Sequence, residues 1–132
     1  MRTLTMIAAL SAALAGCAGG SLAGRLAGQE WRAANINGYP VVAGTAPSIR
    51  MDEGRASGST GCNTFSAAYE TSSRERLRVS GVTTTRKACE PAAMEQERRF
   101  LSILENAQSY SLYGDGSFSL IAADGAAIRF RR

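Results

Sequence analysis

The chain has 132 residues with a formal net charge of +4, 45% hydrophobic residues and no histidine, which leaves room for one domain. The basic groups are almost all arginine, scattered among acids rather than gathered in a stripe interleaved with aromatics, so a nucleic-acid partner has little support. Without histidine, the common Ser-His and Cys-His nucleophile pairs are excluded, and any metal site would have to be built from thiols and carboxylates.

The N-terminus reads as an export signal. Arg2 supplies a short positive region and Leu4 to Leu14 an apolar run of 11 residues, too short to cross a bilayer core of ~30 Å as a helix. Leu14-Ala15-Gly16-Cys17 follows and resembles the lipobox of bacterial lipoproteins. That resemblance implies cleavage before Cys17 and acylation of Cys17, giving a lipid-anchored envelope protein. Ala18 follows the cysteine, not the aspartate linked with inner-membrane retention, which favours the outer membrane, facing the periplasm. Cleavage removes 16 residues and the charge of Arg2, leaving 116 residues with a formal charge of +3.

Three cysteines leave one over in an exported chain, and acylation of Cys17 accounts for it. Cys62 and Cys89 remain, in a compartment where disulfides persist. A structural disulfide between them is the expected reading. Two free thiols, a redox pair or half of a metal site are the alternatives, although a separation of 27 residues is unlike a C-x-x-C redox motif.

Residues 17–28 form the lipidated cysteine and a small, glycine-rich stretch expected to be a flexible tether. The folded domain is expected over 29–132, opening on Trp31 as a core anchor. Ile36-Asn37-Gly38-Tyr39 predicts a hairpin turn, and residues 43–47 a loop. Ser48 to Asp52 alternates, with Ile49 and Met51 on one face, and Glu53-Gly54 turns the chain into a short strand over 55–59. The stretch Gly58-Ser59-Thr60-Gly61-Cys62-Asn63 carries the sharpest turn signal. From there Asn63, Phe65, Ala67 and Tyr69 share one face of a strand. After a polar turn at 71–75, Leu77, Val79 and Val82 continue as strand, with a bulge at Gly81 that shifts the register.

Residues 91–106 change period. Pro91 suits a first helical turn, Glu95 and Glu97 are placed where the helix dipole favours acids, and Ala93, Met94, Phe100, Leu101 and Leu104 form one stripe. Glu97 falls within that stripe, either as a partly exposed acid at its edge or as a partly buried ion pair with Arg86. Beyond Asn106 the period returns to two: Tyr110 and Leu112, a loop over 113–117, Phe118 and Leu120, a turn at 123–125, then Ile128 and Phe130. The predicted class is mainly β (α+β), an antiparallel curled sheet or small barrel of seven or eight strands with one helix inserted near the C-terminal third.

This order of signals resembles the META domain, the family that includes HslJ-like heat-shock lipoproteins. The residues that carry the likeness are Trp31 with Ile36-Asn37-Gly38, then Gly58 to Asn63 with Tyr69, Thr85-Arg86-Lys87-Ala88-Cys89, Met94 with Glu97 and Phe100-Leu101, and Asp124-Gly125 with Ile128-Arg129-Phe130. Ala67 departs from the pattern, since family members often carry glycine there. The resemblance implies an envelope-located or secreted β-rich domain connected with heat response, drug tolerance or virulence. It brings no catalytic mechanism and no cofactor. The motif residues Trp31, Gly61, Asn63, Tyr69, Arg86 and Glu97 are expected to be structural.

The functional expectation is a non-enzymatic, monomeric envelope protein, anchored through Cys17, that binds an envelope partner or supports stress or drug tolerance. A small apolar-ligand carrier is the alternative, since a curled sheet holds a ligand when its interior is not filled by side chains. An inhibitor of a hydrolase is another, with Tyr113-Gly114-Asp115-Gly116 as its candidate loop. An enzyme would have to use two carboxylates among Asp52, Glu53, Glu70 and Asp115.

Overall fold

The computed structural model describes residues 22–132; the predicted signal peptide and Cys17 lie outside the described residues. Nine strands and two helices follow in the order α1 (Leu22–Leu26), β1 (Glu30–Ile36), β2 (Tyr39–Pro40), β3 (Ser48–Asp52), β4 (Arg55–Ser59), β5 (Thr64–Ser72), β6 (Arg76–Thr84), α2 (Pro91–Glu105), β7 (Ala107–Leu112), β8 (Phe118–Ala122) and β9 (Ala127–Arg131). All strand pairs are antiparallel. β1 closes on β9, with Ile36 opposite Ile128 and Arg32 opposite Arg131. The result is an eight-stranded closed barrel, with the two-residue β2 as an extra strand beside β1. Closure removes the free edges that an open sheet would present.

Local chemistry sets the turns. Asn37 and Gly38 both take positive φ, 50° and 80°, the geometry of a tight hairpin turn whose twist matches the strands. Glu53 and Gly54 repeat it between β3 and β4. The expected bulge is present: Ser66 faces Thr83, but Ala68 faces Ser80, so the extra residue sits around Gly81. Ala67, across from this bulge, is buried. The polar turn is shorter than expected, because Thr71 and Ser72 pair with Leu77 and Arg76 and extend β5.

Inward-facing residues fill the barrel. Trp31 meets Phe118 edge-on at 4.8 Å, Phe118 stacks on Phe130 at 4.9 Å, Phe130 meets Phe100 at 6.3 Å and Phe100 meets Phe65 at 5.4 Å. This aromatic chain runs through the interior from one end to the other. Ile36, Ile49, Met51, Leu77, Leu104, Leu120 and Ile128 complete it. Each such side chain contributes about 1.5–3 kcal/mol through burial.

Helix α2 caps the end of the barrel where β1 and β6 finish. Pro91 stands in its first turn, and Asn106 closes it by donating from Nδ2 to the Ser102 carbonyl at 2.8 Å. Its buried face is Ala93, Gln96, Glu97, Phe100, Ile103 and Leu104. Two corrections follow. Met94 and Leu101 lie at the margin, half-buried, while Ile103 takes a central place, because 93, 96/97, 100 and 103/104 is the set that one face of a 3.6-residue period selects. Glu95 lies beyond the first turn and is bridged to Arg98 and Arg99 rather than placed by the helix dipole.

The opposite end is covered by α1. The tether was expected to reach residue 28, but Leu22–Leu26 are helical, Leu26 is buried, and Ala27 bridges Met51. The Trp31 indole donates from Nε1 to the Leu26 carbonyl at 3.0 Å. Burial of Leu26, with an indole N–H to meet its carbonyl, docks this short segment.

Candidate functional site

The motif residues converge at the α2 end, around the connection between β4 and β5. Thr60 folds this turn on itself: its N–H donates to the Asn63 carbonyl at 2.8 Å, and its Oγ1 accepts from the Asn63 N–H at 2.9 Å. Gly61 adopts φ +95°, and a Cβ there would stand 2.7 Å from Gln96 Nε2. Only glycine combines that backbone angle with that approach. Gly58, a strand residue, is closer still, since a Cβ would come within 2.1 Å of the Ser48 carbonyl oxygen.

Asn63 is the hub. Its Nδ2 donates to the Lys87 carbonyl at 3.0 Å and to Glu97 Oε1 at 2.8 Å. Its Oδ1 accepts from Thr85 Oγ1 at 2.9 Å and from the Lys87 N–H at 2.7 Å. All four hydrogen-bonding positions of the amide are used. Glu97 Oε1 also accepts from Thr60 Oγ1 at 2.8 Å. Beside it Gln96 accepts from the Val42 N–H at 2.8 Å and donates to Thr45 Oγ1 at 2.9 Å. Thr60, Asn63, Gln96 and Glu97 are all buried, and among the described residues no buried side-chain nitrogen or oxygen lacks a partner. The helix is thereby tied to three connections at once: the loop after β2, the β4–β5 turn, and the segment after β6.

The expected state of Glu97 is corrected. It is neither exposed at the stripe edge nor paired with Arg86, which is itself exposed. Neutral donors on Thr60 and Asn63 take the place of a cation, and charge-assisted hydrogen bonds of this kind are among the stronger ones. Cys62 and Cys89 form a disulfide with Cα atoms 6.0 Å apart. Met94 packs on it: its Sδ lies 3.7 Å from Cys62 Sγ and accepts from the Cys89 N–H at 3.4 Å. Free thiols, a redox dithiol in its reduced form and thiolate ligands are therefore not what these cysteines present. Trp31 is a core anchor and Tyr69 is buried, both as expected.

The acids considered for catalysis do not converge on such a site. Asp52, Glu53 and Glu70 are exposed, and Asp52 faces Arg55 across its hairpin. Among the described residues no three Cys, Asp or Glu side chains are grouped as metal ligands. Asp115 belongs to a second polar cluster at the opposite end of the barrel. Two hydrogen bonds from Ser117, one from its hydroxyl and one from its N–H, hold the Asp115 carboxyl below its ordinary value of 3.8, and Arg129 adds to the effect. The Arg129 guanidinium lies 3.5 Å over the Tyr113 ring, donates to Ser117 Oγ at 2.9 Å and bridges Asp115 at 3.4 Å. The loop over 113–117 is thus braced by β9. An acid held ionised in this way has little capacity as a proton donor near neutrality.

Sequence reasoning did not single out Thr45 or Gln96, and it named Arg129 only as part of the closing motif, with no role. Gln96 was findable, because it stands three residues after Ala93 on the buried face; Thr45 and Arg129 gain their roles only from partners distant in sequence.

These features define a class: a closed antiparallel β-barrel capped by one helix, with a buried polar knot and a disulfide joining cap to barrel. The sequence matches the META domain over residues 24–132, and the chain belongs to that family. Two solved structures share the fold. One is described only as an NMR structure of a protein, 24% identical, with a TM-score of 0.68, covering 83% of this chain and 92% of its own. The other, an NMR structure of a protein from Burkholderia xenovorans, is 18% identical, with a TM-score of 0.66, covering 83% and 85%. No curated protein matches the sequence.

Proposed function

We propose that this META-domain protein is a non-enzymatic binding module of the bacterial cell envelope, held to the outer membrane by acylated Cys17, where it engages an envelope partner and supports stress or drug tolerance. The observation that carries the non-enzymatic part is the use of the motif residues. Asn63 spends every hydrogen-bonding position on protein groups, and the Glu97 carboxylate is buried against Thr60 and Asn63. Residues so engaged fasten a fold, and Asn63 has no free hydrogen-bonding position for a substrate.

The anchoring part is supported by the Leu14-Ala15-Gly16-Cys17 lipobox and by the cysteine count, which leaves Cys17 over once Cys62 and Cys89 pair. No helix among the described residues is long and apolar enough to cross a membrane. The filled interior favours action at the surface over carriage of a ligand inside the barrel. Membrane fractionation tests the anchoring part. The native chain is expected in the outer-membrane fraction, and Cys17→Ser is expected to leave it there only weakly or not at all. Equal distribution of the two would refute the anchor.

A further inference from the structure

We infer that the α1 end of the barrel is a docking face for an anionic phospholipid surface, with Arg25, Arg131 and Arg132 as its cationic contacts. The inference rests on the anchoring proposed above for the orientation it gives the barrel. Only four residues lie between Cys17 and Leu22, where α1 begins, five Cα–Cα steps in all. A chain of that length reaches at most roughly 18 Å when fully extended. If Cys17 sits in the membrane, the barrel end that carries α1 is held beside the headgroups, and the α2 end is directed away.

The chemistry of that end matches the surface it would meet. A cleft of about 490 Å³ lies between α1 and the loop that precedes β8, with Arg25 and Arg132 on its walls and Trp31, Leu112 and Tyr113 on its apolar side. A second cleft, of about 310 Å³, continues from it past Gly116 to Arg131. Arg25, Arg131 and Arg132 are exposed and form no ion pair with a described residue. Arg131 also stands directly opposite Arg32 on the neighbouring strand; Glu30 bridges Arg32 at 3.7 Å, whereas Arg131 has no such partner and is the member of the pair open to an external anion. The one acidic side chain on these walls, Asp115, is already engaged by Ser117 and Arg129, with Arg131 acting on it at longer range. Tyr113 is 39% exposed on the same rim, an amphipathic ring of the kind that settles at headgroup level. Polybasic groups placed within a Debye length of an anionic leaflet are attracted to it, and salt weakens the effect.

The test uses residues 22–132, which hold every described strand, both described helices and the whole described core, and which lack Cys17 and so carry no acyl chain. Co-sedimentation is measured with vesicles of phosphatidylglycerol and phosphatidylcholine in equal parts, and with phosphatidylcholine alone. Preference for the anionic vesicles is expected, falling about tenfold or more in the Arg25→Ser/Arg131→Ser/Arg132→Ser variant. The corresponding lysine variant should retain binding. A control that removes the same charge from the α2 end, Arg86→Ser/Lys87→Ser/Arg98→Ser, should also retain it. Lack of preference for anionic vesicles, or equal loss in the control, would overturn the docking face. Because the domain is unacylated, either result leaves the state of Cys17 to be read separately from the mass of the membrane-extracted chain.

Discussion

Asn63 and Glu97 are 34 residues apart in the chain, yet the Asn63 amide donates to the Glu97 carboxylate at 2.8 Å. That bond joins the β4–β5 turn to the helix that caps the barrel. It explains how a carboxylate sits on the buried face of α2 without a cation beside it. Removing Asn63 takes away a donor from a buried carboxylate and leaves the Lys87 N–H without its partner. We predict that Asn63→Ala lowers stability by about 2–4 kcal/mol, read from the denaturant midpoint at constant slope. A loss below ~1 kcal/mol would show that the knot is not a principal fastening of the helix.

Arg86 gives the converse prediction. It is exposed and away from Glu97, so Arg86→Ala should change stability by no more than about 0.5 kcal/mol. A substantially larger loss would restore the ion pair that the fold has replaced with neutral donors.

The disulfide closes a loop of 27 residues in sequence separation that contains β5, β6 and the Asn63 hub. On the chain-entropy account, the Cys62→Ser/Cys89→Ser variant should lose about 3–4 kcal/mol, with the barrel fold retained and the melting temperature reduced. A melting temperature equal to that of the oxidised wild type would contradict the assignment of a stabilising staple.

Gly58 tests close backbone approach in the barrel wall. Gly58→Ala would drive a methyl group into the Ser48 carbonyl and force β3 and β4 apart. We expect a cost of about 2–3 kcal/mol, visible as a lower midpoint and faster amide exchange at Ile49. Gly114, where an added Cβ meets nothing within 4 Å, serves as the control.

Asp115 makes a prediction about pH. Its folded value is depressed by the Ser117 hydrogen bonds, so its contribution is present above the ordinary value of 3.8 and is lost as pH falls through the lower folded value. An NMR titration should place the Asp115 midpoint below 3.8, and Ser117→Ala should move it upward. A midpoint at or above 3.8 in the wild type would contradict the braced loop.

Much of the barrel was legible because strand alternation and turn chemistry are local. Asn63, Phe65, Ala67 and Tyr69 share a face by period alone, Asn37-Gly38 dictates a tight turn, and Gly81 announces a bulge. The helix was placed by Pro91 and the change of period. Periodicity assigns a face, however, not a partner. It put Glu97 on the buried side of α2, and charge complementarity then suggested Arg86, whereas the actual donors come from a turn 34 residues upstream. Closure of β1 on β9 was not legible in detail either, since the facing residues Ile36 and Ile128 stand at opposite ends of the domain sequence. Leu26 escaped notice for a different reason: two leucines, Leu22 and Leu26, among glycines and alanines are too few to establish a period.

The proposed acylation of Cys17 would decide both where the protein acts and which end of the barrel faces the membrane. The direct measurement is the intact mass of the full-length gene product extracted from bacterial membranes, with fragmentation of its N-terminal peptide. The account predicts a chain that begins at Cys17 and carries acyl mass on that residue, with Cys62 and Cys89 two hydrogens below the reduced form. A chain cleaved elsewhere, or beginning at Cys17 without added lipid, would contradict it.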